Sequence, residues 1–538
     1  MKDLSVRDQE LLRQLYIQFA GMTFEEVSVI PLRTEGQSGA EIMLAFLSLR
    51  RKGYIVATEK YWGERLYCIS QVMIPSIYEA FFTPNLDEVE ATGIQLVREE
   101  KQGIVLDLFN ALVFISQYKP LLTTKGMLYK KSIQGLTAVI QLDLEDLRGL
   151  SLDVLQPLLK DYPQPIAVIL DLLVLLNLVS IDVDGKQIII HEKSLHQWLS
   201  LSTEEMTRIV FRIVNERYNV QNREMQHFCQ SIRCSTFRAG AWFDVDKIMR
   251  WMIRHRFLTE TQRGEWQSKV VAGLYALAGF GWVDMAMSEG YFRWNIQSED
   301  MDESAFSAAD SEYCGFYIQP DYDVMIPPNV GFLQRWRILL FTEMIKNDHM
   351  SVYRLTKQSI ARGLNKGITI EEMIQFLTEH SLGEVPEHVS IVLEQWAREM
   401  HDESFEARNE QLFHSIEGEA AKGAFMDSVR LLSNADEDIP TPESLFQGLE
   451  QIPMRWRNEF RSYHFSTTIT IVEQALAWHT KVEMNMNGKV VEFMPMNICY
   501  SPWMVRGELT VLQDQDHQVI ELHPNDFQEI KLLIPPFK

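Results

Sequence analysis

Apolar residues return at helical spacing along Leu12, Leu15, Tyr16 and Phe19, behind Ser5 as a cap and ahead of Gly21 as a stop, and this predicts an opening helix. Thr23 with Glu26 and Ser38 with Glu41 have the hydroxyl-to-carboxylate spacing of capping boxes, which predicts two more helices. The third, Ser38 to Lys52, turns Ile42, Met43, Phe46, Leu47 and Leu49 inward and ends on Arg50, Arg51 and Lys52 before Gly53. Two β-rich runs, 54–58 and 65–70, flank a polar loop. Three helices followed by such a hairpin are expected to form a winged-helix unit over residues 1–95, either with Arg50, Arg51 and Lys52 as candidate nucleic-acid contacts or as a protein-docking module.

A related order of elements returns twice. Within 96–202, helices are expected at 104–118 and 129–140 and from Pro165 to Leu178, followed by a hairpin around Asp184-Gly185, a pair suited to a two-residue turn with positive φ at both centres. Within 203–296, helices are expected near Thr203, over 221–233, over 245–257 and over 266–280, then a hairpin over 282–296. Residues 297–312, rich in Ser, Asp, Glu and Ala, read as a linker. Segments 313–399, 400–465 (an acidic helical connector) and 466–538 complete the division. The fold class expected is α+β, mostly helical: serial winged-helix-like units, an α/β module and a small C-terminal β-barrel.

Charge narrows the chemistry. The 538 residues carry a formal net charge of -23, which repels phosphate, so any nucleic-acid contact must come from local basic faces. Residues 207–270 are such an island, with 12 Lys or Arg against 6 Asp or Glu. In it Lys247, Arg250 and Arg254 share a helical face beside Trp251, suited to gripping phosphate and stacking a base, or to forming a solvated face over a core tryptophan. A second cluster combines Arg455, Arg457 and Arg461 with aromatic residues. Five scattered cysteines argue for reduced thiols in a reducing compartment, and His227, Cys229 and Cys234 lack a fourth ligand at finger-like spacing, so no metal is expected. The charged N-terminus does not read as a signal peptide, and no apolar run is long enough for a membrane span, so a cytoplasmic protein without membrane contact is expected.

The runs "YIQPDYDVMIP", "YRLTKQSIARGLNKGITIEEMIQFLTEHS" and "VPEHVSIVLEQWARE" within 313–399 resemble the helicase-associated N-terminal domain of XPB-type helicases and its stand-alone bacterial relatives. The resemblance implies an α/β module that contacts DNA or partner subunits. Around the start of a helix there, Arg354, Lys357 and Arg362 are candidate phosphate contacts, with Thr356 as either a further contact or a plain cap. The segment "IVEQALAWHTKVEMNMNGKVVEFMPMNICYSPWMVRGEL" resembles the Sm-like barrel called a WYL domain, with Trp503-Met504-Val505 standing where that family has Trp-Tyr-Leu.

The sequence contains no G-x-x-x-x-G-K-[ST] loop, no G-x-S-x-G elbow and no glycine-rich dinucleotide fingerprint. His191 and His196 are five apart and diverge on a helix, so they cannot share a metal. No cofactor is expected. The function expected is a non-catalytic DNA-binding or helicase-associated accessory role in DNA repair or transcription. Its partners would be DNA, single strands included, and an XPB-type helicase or the transcription machinery. Alternatives are a ligand-responsive winged-helix transcription regulator and, behind it, a nuclease.

Overall fold

In a computed structural model, described for residues 1, 3–59, 65–84, 86–90, 95–96, 103–218, 223–233, 237–286, 290–296, 315–346, 350–400, 439–486, 488–511 and 517–536, the chain is an α+β protein with several small antiparallel sheets. The linker at 297–312, most of the acidic connector, Cys234 and the polar loop at 60–64 lie outside the described residues. The chain divides into two compact units: Met1–Pro84, Met252–Phe257 and Leu432–Lys538 form one, and Asn85–Trp251 with Leu258–Leu431 form the other.

The first unit opens with α1 (Val6–Phe19), capped by Ser5 in a reciprocal box with Asp8, and α2 (Gly39–Arg51), capped by Ser38 and Glu41. Gly53, at φ +75°, stops α2, as its freedom from a Cβ allows. The expected middle helix does not form. Phe24 instead goes extended and exchanges two backbone hydrogen bonds with Tyr67 (2.7 and 2.8 Å), and two short 3-10 turns, Glu26–Ser28 and Ile30–Leu32, follow. Pro31, with no N–H to give, blocks continuation of an α-helix there. Strands β1 (Ile55–Glu59) and β2 (Arg65–Ile69) pair antiparallel, and α3 (Ile74–Phe81) follows.

In the second unit, α4 (Ile104–Tyr118) and α6 (Gln164–Leu175) are buried on nearly every face, with α5 (Lys130–Val139) beside them. Asp107, inside α4, is held by the backbone N–H groups of Gln141 and Leu142 (2.8 and 2.9 Å). Strands β3 (Val179–Asp182) and β4 (Gln187–Ile190) form the expected hairpin, but through a four-residue turn. Asp182 accepts from the N–H of Gly185 (2.9 Å) and positive φ falls on Lys186, so the side-chain-closed turn replaces the two-residue one. Then come α7 (Glu192–Leu199), α8 (Thr203–Tyr218) and α9 (Arg223–Ser231). A further group follows: β5 (Trp242–Asp244), α10 (Val245–Arg254, whose residues from Met252 belong to the first unit), α11 (Arg263–Gly279), β6 (Val283–Met285) and β7 (Tyr291–Trp294), with β7 central in a three-stranded sheet.

From residue 315 the same unit builds a module: β8 (Tyr317–Ile318), β9 (Asp323–Ile326), α12 (Phe332–Leu339), β10 (Glu343–Lys346), β11 (Ser351–Arg354), α13 (Lys357–Asn365), α14 (Ile370–His380) and α15 (Glu387–Met400). Its sheet runs β10-β11-β9-β8. Helix α12 ends at Leu339, because the chain turns back to pair β10 with β11.

The C-terminal part returns to the first unit with α16 (Met454–Asn458), α17 (Phe465–Ala477) and strands β12 (Val482–Met486), β13 (Lys489–Tyr500), β14 (Trp503–Val511), β15 (His517–Leu522) and β16 (Ile530–Leu532). The sheet order is β15-β14-β13-β12-β16, and no hydrogen-bonded pairing joins β15 to β16 among the described residues. Among the described residues the expected barrel is seen as a five-stranded antiparallel sheet. Ile471, Val472 and Ala475 of α17 pack with Phe493, Val505 and Ile530 of the sheet, and Ala40 of α2 enters the same core. The N–H of Ala40 donates to the carbonyl of His479 (2.9 Å), and Arg33 pairs with Glu508 (2.7 Å).

Candidate nucleic-acid interface

The basic end of α2 is committed to its own unit. Arg50 is 5% exposed, its guanidinium 4.9 Å from the ring centre of Tyr67 and 5.6 Å from that of Phe46. Arg51 donates to the carbonyl of Pro440 (2.9 Å), and the Lys52 ammonium bonds the Asp8 carboxylate (3.0 Å) and the Asp3 carbonyl (2.9 Å). Arg50, buried over two rings, is thereby kept from a groove, while Arg51 and Lys52 are exposed but engaged by these partners.

On α10 the expected face divides. Trp251 is 5% exposed and packed inward, so it offers no ring for a base; this corrects the stacking role, because α10 is strongly amphipathic and Trp251 falls on its apolar side with Ile248, Met249 and Met252. Lys247 and Arg250 are exposed. Arg250 is not ready for phosphate as it stands, since its guanidinium meets Asp246 one turn earlier (2.5 Å) and Asp246 also binds Arg263 of α11. These arginines, Arg263 first, hold the Asp246 carboxyl below its usual range. Asp244 caps the helix by accepting from the N–H of Asp246 (2.8 Å). Arg254, at the end of the helix, is exposed.

Within the 315–400 module the three candidate cations separate. Arg354 forms a two-point pair with Asp323, directly across the β9–β11 ladder (2.6 and 3.0 Å). Lys357 pairs with Glu399 (2.7 Å). Thr356 caps α13 in a box with Ser359, accepting from the Ser359 N–H (3.1 Å), which bears out its reading as a cap. Leu355 and Ile360 fill the core. Arg362 turns to another side of α13, donates to the carbonyl of Thr342 and is half-buried. In the C-terminal part, Arg455 and Arg461 share Glu459 (3.9 and 3.1 Å), Arg461 lies 5.4 Å from the ring centre of Tyr463, and Arg457 is half-buried with its Nε–H lacking an acceptor among the described residues.

Sequence reasoning passed over Lys119 and Lys366, single cations outside any run that the fold brings to one cavity with Arg362. It also passed over His196 of α7, whose pKa is pushed down by burial and by the nearby Arg337 of α12. Cys229 is buried, and that burial pushes its thiol pKa up to about 12, which disfavours the thiolate a metal needs. Among the described residues no cluster of His, Cys, Asp or Glu has metal-site geometry, and no helix is long and apolar enough to cross a membrane.

A family model described as "Helicase conserved C-terminal domain" matches residues 316–421, beginning at the module's first strand. The match indicates a helicase-associated domain within the chain. No curated protein matches the chain significantly.

Proposed function

We propose that this chain is a non-catalytic accessory protein, acting with an XPB-type helicase on DNA in repair or transcription. The observation that carries the reading is the helicase-domain match over 316–421, in a chain whose sequence has no loop to cradle nucleotide phosphates. The order extended bridge, α2, hairpin in the first unit, and β5, α10, α11, hairpin in the second, supports winged-helix-like units at both places. Helix α17 followed by five strands, with β12 between β13 and β16, supports an Sm-like relation for the C-terminal sheet. In the winged-helix-like unit within 203–296 the candidate face exposes Lys247, Arg250 and Arg254.

The test is fluorescence anisotropy of the full chain with unphosphorylated single-stranded and duplex oligonucleotides across a salt series. Binding that weakens steeply with salt, and by roughly tenfold or more in K247E/R250E, is expected. Absence of binding to either form at low ionic strength, or binding indifferent to the double substitution, would remove this face from the account. DNA-stimulated ATP hydrolysis by the purified chain would overturn the non-catalytic reading.

A further inference from the structure

Between the C-terminal end of α4 and the helices α12 and α13, all in the second unit, lies a cavity of about 210 Å³. Its floor is apolar, from Val113, Leu339 and Leu340. Lys119, Arg362 and Lys366 supply its charge, and none of the residues lining it is acidic. In a protein with a net charge of -23, three cations around one cavity without an acid in its wall are a local inversion of sign.

Two buried donors there lack acceptors among the described residues: the Nε–H of Arg362 and the indole N–H of Trp336, a residue that is 4% exposed and lines the cavity. A buried donor without a partner carries a free-energy cost that a bound acceptor relieves. The carboxylate whose field reaches Arg362, Glu343, is engaged by the Thr356 hydroxyl (2.8 Å). Lys119 sits just past the end of α4 in a left-handed conformation and is exposed at the cavity's edge.

We propose that this cavity binds a phosphoryl group carried by an organic ligand, with Arg362, Lys119 and Lys366 around the oxyanion and the apolar floor under the organic part. Several cationic donors match a phosphoryl group, which has three or more oxygens to satisfy, better than a carboxylate with two. The source of the phosphoryl group is either a free nucleotide or the terminal phosphate of a nucleic-acid strand, and the proposal stands apart from the α10 face.

The experiment is titration calorimetry on the full chain with AMP, adenosine, inorganic phosphate and one oligonucleotide bearing either a 5′-phosphate or a 5′-hydroxyl. Lys119→Gln changes an exposed side chain and leaves the core untouched; K119Q/K366Q removes a second charge, with thermal melting as the check on folding. Binding of AMP but not adenosine, weakened roughly tenfold or more by Lys119→Gln and abolished in the double variant, supports the proposal with a free nucleotide as source. A preference for the 5′-phosphorylated strand with the same losses supports it with a strand end as source. If no phosphate-bearing probe binds the folded wild type, or if binding is unchanged in both variants, the proposal falls. Binding of the 5′-hydroxyl strand reports on the α10 face separately.

Discussion

If α10 is the nucleic-acid face, Asp246 is its internal competitor, and Asp246→Asn tests this. The carboxylate holds Arg250 and Arg263 at once; Arg263 also pairs with Glu260 (3.3 Å), so neutralising Asp246 frees the Arg250 guanidinium and makes the face one charge more positive. Each cation newly placed on a phosphate of duplex DNA steepens the dependence of log K on log salt by about 0.9, so the freed arginine can add up to about 0.9 to the slope. For single strands the added slope is up to about 0.7. Affinity at low salt should rise accordingly and converge with wild type as salt increases. The fold should tolerate the change, because Asn keeps the size of the side chain and Asp244 still caps the helix. Anisotropy titrations of both proteins at four or five salt concentrations measure slope and affinity together. Unchanged affinity with an unchanged slope would refute the reasoning, for the freed Arg250 would then be meeting no phosphate. Since the Asp246 carboxyl is held below its ordinary range, its pairing is complete above that range and is lost only as pH falls through the depressed value. Wild-type binding should therefore show no gain from this carboxylate between neutral pH and mildly acid pH.

Asp171, fully buried in α6, accepts from the Tyr218 hydroxyl (2.9 Å) and from Arg217 (3.3 Å), so Asp171→Ala should cost about 3–5 kcal/mol of local stability, measured as faster amide exchange in α6 and α8. Tyr218→Phe should then be harmless in that background; an added loss would refute the shared network. His196 has a folded-state pKa below its ordinary value of 6.5, so the unfolded chain takes up the proton first and stability should fall as pH drops through that ordinary value. His196→Gln should flatten the pH dependence of thermal melting between neutral and mildly acid pH, and an identical profile for both proteins would refute it.

Helix positions were legible where caps and periodicity agreed. Ser5, Ser38 and Thr356 all cap the helices whose starts they mark, because a hydroxyl two or three residues from orphan N–H groups is a local device. Thr23 and Glu26 had the same spacing and lost to a long-range competitor, the backbone pairing of Phe24 with Tyr67, which no local pattern carries. The candidate cations fared in the same way. Runs of Lys and Arg were visible, but whether each charge is spent inside the protein depends on distant residues: Pro440 for Arg51, Asp323 for Arg354, Glu399 for Lys357. Arg362 and Lys366 lie four residues apart at the end of α13, but Lys119 comes from the end of the distant α4, and only folding brings it to them.

The seating of Ala40 beside the strands that follow His479 also constrains how the protein is made. The two contact partners are separated by most of the chain, so at about 5–20 residues per second the opening segment waits on the order of 20–90 s after its own synthesis before its counterpart exists. Throughout that interval the surface around Ala40 and Leu44 is uncovered apolar area, and it is in these seconds of translation, rather than in the finished molecule, that the N-terminal segment is most open to aggregation and most in need of a chaperone.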